Sequence, residues 1–347
     1  MAAKGIAAFG EIMLRLAPPN FQMIGQNTTY DALYGGGEAN VAISLAIFGH
    51  KSVYVTCLPD SPVGQGAVNS LRAYGVDTRF VQRSGSRVGI YFLEIGAAQR
   101  ASRVIYDRAH SAIADVKPGS IDWASVFAEC DAFHITGITP AISAAAAEES
   151  LNALTAARKA GASVSIDLNY RKNLWKYGKT AGDVMPSLVA LADVAIGNEE
   201  DAEKVFGIKA PKSDVAAGKV NADDYVFVAT KLVEKFPNLK KVAITLRGSI
   251  SASHNTWSGI LYDAASKKTA VARTWDMTHI VDRVGGGDSF AAGVIHSLRN
   301  GASDADAIEF AVAASCLKHS IVGDANLVTV AQVNEILKSG GSGRVQR

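Results

Sequence analysis

The sequence predicts an α/β protein built on a mainly parallel, doubly wound sheet with helices on both faces, and three observations predict it. Short runs rich in Val, Ile and aromatic residues alternate with longer segments of helical period. Each run ends in Gly, Asn, Asp or Pro and most lead into a helical segment, as crossover units require. A chain of 347 residues with 48% hydrophobic residues is long enough to bury a large apolar interior.

The expected core strands, in order, are IAAFG (6–10), SVYVTCL (52–58), AFHITG (132–137), SVSIDL (163–168), DVAIG (193–197) and KVAITL (241–246). Helical period places helices at 37–49, 62–75, 141–160, 180–192 and 199–206. Segments 11–35 and 87–107 break this rhythm. The second alternates like an antiparallel hairpin turning at Gly96, so both are expected to form one small β-sheet lid. The core is then 1–10, 36–86 and 108–338, and the Gly/Ser-rich stretch 339–347 is a flexible tail. Residues 247–274 alternate again, with turn residues Asp263 and Ser266, and read as a β excursion beside the last core strand. Beyond it, Ala291, Val294, Ile295 and Leu298 share one helical face, and a second helix covers about 303–319.

Thirty-five Lys plus Arg against 33 Asp plus Glu, a net charge of +2, leaves no broad basic face for nucleic acid. Cys57, Cys130 and Cys316 have no metal-binding spacing, and with His134, His279 and His319 they are expected to be structural, in a reducing compartment. Gly10 and Glu11 interrupt the first apolar stretch before a signal-peptide core forms, and no segment reaches the roughly 18 apolar residues of a membrane span. The expectation is a cytoplasmic protein with no membrane partner.

The densest chemical signal is Asp282-Arg283-Val284-Gly285-Gly286-Gly287-Asp288-Ser289, at the start of an amphipathic helix. Three glycines let backbone N–H groups converge on one point, and the helix adds its positive end, so the corner attracts phosphate. Asp288 at its lip can accept the proton of an attacking alcohol. Asp at a helix start is also a common N-cap, and glycines also mark plain turns. The chain has no GxxxxGK[ST], and GQGAVN lacks the third Gly of a dinucleotide fingerprint. A second glycine turn, Gly35-Gly36-Gly37-Glu38-Ala39-Asn40, opens the first core helix and lets a small polar ligand approach the backbone.

FGEIMLRL, GGGEANVAISLAIFG, LPDSPVGQGAVNSLRAYGV, GNEEDAEKVFG, TLRGS and DRVGGGDSFAAG together span almost the whole chain. On these motifs it resembles the ribokinase-like (PfkB) carbohydrate kinases, and IYDRAHSA, DLNYRKNLW and KHSIVGDANLVT resemble the 2-keto-3-deoxygluconate kinases within them. The resemblance implies a three-layer α/β/α core with a β lid and transfer of a phosphoryl group from ATP, with Mg2+, to the terminal hydroxyl of that sugar acid. Asp288 would be the general base and Gly285, Gly286 and Gly287 the anion hole. Gly36, Gly37, Asn40, Tyr91, Tyr106, Arg108 and Arg171 would contact the sugar, the two arginines serving its carboxylate. Thr245, Arg247, Gly248 and Asn198 would meet ATP. Asn198 and Asp201 would organise the water shell of Mg2+, although Asp201 stands where the family pattern has Glu, and Glu200 could substitute. The resemblance also leaves a place for a monovalent cation such as K+ near Asp282 and the 316–326 segment. An open β lid would pair with a second copy, giving a homo-oligomer. The rivals are a fructokinase or nucleoside kinase of the same fold and a non-catalytic sugar-binding protein.

Overall fold

The computed structural model describes residues 4–211 and 222–341. Its strands are β1 (Gly5–Phe9), β2 (Met13–Ala17), β3 (Asp31–Gly35), β4 (Ser52–Leu58), β5 (Val81–Arg83), β6 (Ile90–Glu94), β7 (Arg103–Asp107), β8 (Cys130–Thr136), β9 (Ser163–Asp167), β10 (Val194–Gly197), β11 (Lys241–Ser249), β12 (Asn255–Asp263), β13 (Lys268–Val271) and β14 (Trp275–Met277). Its helices are α1 (Gly37–Ile47), α2 (Pro62–Ala73), α3 (Trp123–Glu129), α4 (Thr139–Ile142), α5 (Ala144–Lys159), α6 (Ala181–Val189), α7 (Glu199–Phe206), α8 (Ala222–Lys235), α9 (Gly286–Arg299), α10 (Asp304–Lys318) and α11 (Val330–Ser339).

The main sheet runs β13-β12-β11-β10-β9-β8-β1-β4-β5, and every pairing from β11 to β5 is parallel. β1 and β4 are buried at every position, as strands covered on both faces must be. One face packs Phe9, Phe133, Leu154, Met185 and Val228; the other packs Val41, Leu45, Phe290, Ile308 and Val312. The chain passes from β1 to β4 on one side and returns with β8 on the other. A crevice therefore opens at the carboxyl ends of these strands, where open α/β sheets bind ligands.

The second sheet, β3-β2-β6-β7, draws its strands from both irregular segments. β6 and β7 form the expected antiparallel pair, with Tyr91 directly opposite Tyr106. Gly96 is not the tip of that hairpin. The chain reverses instead between Ala97 and Arg100, which exchange backbone hydrogen bonds, while the Gly96 N–H donates to Ser102 Oγ.

Three further differences have local causes. The expected helix at 141–160 is broken at Ser143, which caps α5 by accepting from the Ala146 N–H. β11 continues past the expected end at Leu246 through Arg247, Gly248 and Ser249, because it pairs residue for residue with β12 out to Ser249 and Asn255. Helices α3, α8 and α11 and the three-residue β5 are additional to the expected elements. Of the expected tail, Ser339 ends α11, Gly340 caps it in the left-handed region at φ 67°, and residues 342–347 lie outside the described residues.

Helix α9 is held deep in the molecule. Phe290 is fully buried against Gly259 of β12, and the bare Gly293 lets α10 approach through Ala311. Truncating a side chain such as Phe290 to Ala costs about 3–5 kcal/mol, so the start of α9 is a rigid platform. Among the described residues no helix is long and apolar enough to cross a membrane, and Cys57, Cys130 and Cys316 are unpaired.

Candidate active site

A cleft of ≈ 470 Å³ lies at the carboxyl ends of β8, β9, β10 and β11, between the two glycine turns and beneath β6 and β7. Gly285 occupies the N-cap of α9 with φ 82°, a left-handed conformation that suits glycine, and a side chain there would strike the Asp324 carbonyl. A side chain on Gly286 would strike the His319 ring, whereas Gly287 faces open space. The first-turn N–H groups of Gly287 and Asp288 have no intrahelical acceptor and carry the positive end of the helix. The N-cap alternative for Asp288 is thus set aside, because Asp288 is the third residue of α9.

Asp288 is buried, and burial pushes its carboxyl up to about 6. Asn40 Nδ2 donates to Asp288 Oδ2 at 2.7 Å, while Asn40 Oδ1 accepts from the Gly36 N–H at 3.3 Å. The other oxygen, Oδ1, faces Gly37, where a side chain would come within 3.7 Å of it. Next in α1, Glu38 accepts from the Thr136 N–H, Thr136 Oγ1 and Thr139 Oγ1 at 2.9, 2.9 and 2.7 Å. Burial pushes Glu38 up to about 7, and these bonds tie the first turn of α1 to the end of β8.

Across the cleft, Asp167 ends β9 with its pKa pushed well above the ordinary value, by burial first and then by Asp201 and Asp288. Asn198 and Asp201 form a capping box on α7, and Asp201 spends one oxygen on the Asn198 N–H at 3.0 Å and the other on the Tyr170 N–H at 2.9 Å. It therefore shapes the β9 and β10 ends rather than offering a free carboxylate. Glu200, exposed at the same rim, has that freedom. Arg171, reached through Asn169 at φ 36°, uses one nitrogen on its neighbour's carbonyl, Tyr170 O, and makes no ion pair among the described residues.

The lid side is organised by buried charge. Arg15 on β2 binds Asp282 at 2.5 Å and Asp324 at 2.6 Å, and Tyr91 Oη donates to Asp324. Burial alone would lower the Arg15 pKa; Asp282 and Asp324 outweigh it and raise it. Arg108 is engaged with Glu11, its Nε donating at 2.7 Å, and Ser111 Oγ donates to the other Glu11 oxygen at 2.6 Å. The two arginines expected to serve a ligand carboxylate both line the cleft but differ: Arg108 is paired with Glu11, whereas Arg171 makes no ion pair among the described residues. Likewise the Tyr91 hydroxyl is committed to Asp324, while Tyr106 is 41% exposed with the Arg108 guanidinium 5.3 Å over its ring.

Thr245 and Arg247 on β11 line the cleft beside Arg283. Gly248 lies in the ladder opposite Thr256, outside the cleft lining. Burial, then Arg247, lowers the Arg283 pKa, so two guanidiniums stand together beside the glycine corner.

A model of the pfkB family of carbohydrate kinases matches residues 3–329. This chain belongs to that family. The kinase is 30% identical over 338 residues to a 2-dehydro-3-deoxygalactonokinase of Haloferax volcanii, covering 97% of this chain and 98% of the relative. It is 26% identical over 324 residues to a 2-dehydro-3-deoxygluconokinase of Bacillus subtilis, covering 91% and 90%. Among solved structures, a 2-dehydro-3-deoxygluconokinase from Thermotoga maritima matches with a TM-score of 0.92 and 42% identity over 97% of this chain and 100% of that one. A fructokinase with bound ATP from Xylella fastidiosa shares the fold, with a TM-score of 0.75 and 20% identity over 98% and 100%. The protein is a sugar kinase, a phosphotransferase with an alcohol group as acceptor.

Several residues in or behind the kinase cleft escaped the sequence expectations. Asp167 ends the run SVSIDL, and an acid at the carboxyl edge of an apolar strand was the available signal. Glu11 and Arg15 sit inside quoted motifs, but only the folded chain shows that their partners are 97 and 309 residues away.

Proposed function

We propose that this kinase transfers the γ-phosphoryl group of ATP to the terminal hydroxyl of 2-keto-3-deoxygluconate. The observation that carries the reading is Asp288, set on the glycine corner in the cleft lining, with one oxygen bonded to Asn40 and the other beside Gly37 of the second glycine turn. A carboxyl at about 6 is ionised at neutral pH and a stronger base than an exposed one. The sugar oxygen attacks the γ-phosphorus, its new O–P bond forming as the bond to the ADP oxygen breaks, and the hydroxyl proton passes to Asp288. The glycine corner holds the migrating group's oxygens, with Arg247 and Arg283 beside the phosphates. Arg171 meets the substrate carboxylate.

The acidic rim fits Mg2+ held through water and phosphate rather than in a protein cage. No cluster of three His, Cys, Asp or Glu suited to a metal occurs among the described residues, and Mg2+ normally keeps several waters. Asp167, Asn198 and Glu200 would face its water shell, and the ion would offset phosphate charge. The exposed Leu33, Val104 and Ile105 on the lid support pairing with a second copy, and the unpaired cysteines suit the cytoplasm.

The test is ADP release with 2-keto-3-deoxygluconate, its galactonate epimer, fructose, ribose and adenosine, with the product's phosphate position read by NMR. The sugar acids should give the highest kcat/KM and a product phosphorylated on the terminal oxygen. Faster turnover of fructose, ribose or adenosine would overturn the assignment to a sugar acid.

A further inference from the structure

Lys318, the last residue of α10, is 0% exposed, yet no carboxylate oxygen among the described residues lies within ion-pair distance of its ammonium. Nζ donates instead to two backbone carbonyls, Asp282 O at 3.0 Å and Ile321 O at 3.3 Å. A buried ammonium without a contacting counter-ion is costly, so its position needs a reason.

The two carbonyls belong to the two segments that wall the glycine corner. Asp282 begins the run into Gly285, and its carboxylate is already engaged by Arg15, the Val284 N–H and the Gly323 N–H. Asp324, three residues beyond Ile321, places its own carbonyl against Gly285. The ammonium thus ties one wall to the other from behind, and its charge acts on the Asp288 carboxyl in front. Carbonyl oxygens converging on a buried charge are also the ligand set that a K+ or NH4+ ion would use. The residues present therefore do not fit a dissociable monovalent cation near Asp282 and the 316–326 segment: the chain's own ammonium holds the carbonyls there.

We propose that Lys318 is a built-in cation for phosphoryl transfer, a positioning residue that fixes the anion hole and makes the enzyme independent of monovalent salts. The inference rests on the kinase reading above.

The experiment compares wild type, Lys318→Ala and Lys318→Met in NaCl, KCl, NH4Cl and tetramethylammonium chloride at equal ionic strength, reading turnover and, separately, melting temperature. Wild type should show the same turnover and melting temperature in all four salts. Lys318→Met should lose roughly tenfold or more in kcat with smaller changes in KM, as loss of electrostatic support to an anion hole does. Lys318→Ala opens a carbonyl-lined space, so KCl or NH4Cl, but not tetramethylammonium, should restore its turnover and raise its melting temperature. A wild type stimulated severalfold by K+ would overturn the proposal, as would full turnover of Lys318→Met in tetramethylammonium. Should wild type phosphorylate no sugar, the kinase reading fails, while the melting comparison still tests cation replacement. Should Lys318→Ala fail to fold in every salt, the absence of rescue by K+ and NH4+ counts against the proposal.

Discussion

Asn40 and Asp288, 248 residues apart in sequence, meet through a single hydrogen bond of 2.7 Å. It joins the turn that opens α1 to the turn that opens α9. The same Asn40 reaches back to the Gly36 N–H, so one amide both shapes the first turn and orients the carboxylate in the second. Packing supports the arrangement from below, where α9 is locked against α10 and β12.

Replacing Asp288 with Asn keeps the shape and removes the base. Turnover should fall by about two to four orders of magnitude, with nucleotide affinity, measured by calorimetry, almost unchanged. Near-normal kcat would remove Asp288 from the chemistry.

The same variant should be more stable than wild type at neutral pH. The folded-state pKa of Asp288 is raised from 3.8 to about 6, so the unfolded chain gives up this proton first as pH rises. Below about pH 4 both states hold the proton and no penalty exists. Between about 4 and 6 stability falls by roughly 2–3 kcal/mol and then stays level, a drop that Asp288→Asn cannot show. Urea unfolding at pH 4 and 7.5 checks it: the gain from the substitution should be confined to the higher pH.

Asn40 lowers the Asp288 pKa while burial raises it. Asn40→Ala removes the lowering influence, so the acid limb of kcat/KM should move to higher pH than in wild type. A pH–rate profile distinguishes this from loss of a sugar contact alone, which would raise KM and leave the limb in place.

Arg171 and Arg108 look equivalent in sequence and should behave differently. Arg171 makes no ion pair among the described residues, so Arg171→Ala should raise KM for the sugar acid about tenfold or more, with little change for ATP or in melting temperature. Arg108→Ala leaves Glu11 buried with only the Ser111 hydroxyl, so the larger effect should be destabilisation, by about 3 kcal/mol or more. Equal sugar-specific effects without destabilisation would return Arg108 to the carboxylate site.

How far the sequence reveals this site depends on the range of each interaction. β1, β4 and β8 were legible because burial on both faces writes a continuous apolar run. The glycine corner was legible because bare backbone and a following helix are local features. The expected end of the last core strand at Leu246 falls short because cross-strand pairing with β12, which local sequence does not show, carries β11 on through Gly248 and Ser249. That Arg108 and Tyr91 are already paired is not legible in the sequence, because Glu11 and Asp324, their partners, lie 97 and 233 residues away. The capping bonds that Asp201 makes to the Asn198 and Tyr170 N–H groups depend on how the ends of β9 and β10 meet, which the run GNEED does not show.

Arg15 makes the lid and the anion hole one mechanical unit. It reaches from β2 to Asp282, which begins the glycine run, and to Asp324, which also holds Tyr91 of β6. Arg15→Met keeps much of the packing but leaves two buried carboxylates without their cation, and breaking such a group should cost about 3–5 kcal/mol in urea unfolding. Adding Asp282→Asn and Asp324→Asn to Arg15→Met should recover most of that loss, because charge imbalance rather than lost contact is its source. The triple variant should nevertheless keep an elevated KM for the sugar, since neutral side chains no longer draw β2 and β6 onto the Asp282 loop. Restored stability together with a normal KM would separate lid position from this cluster and assign Arg15 to folding alone.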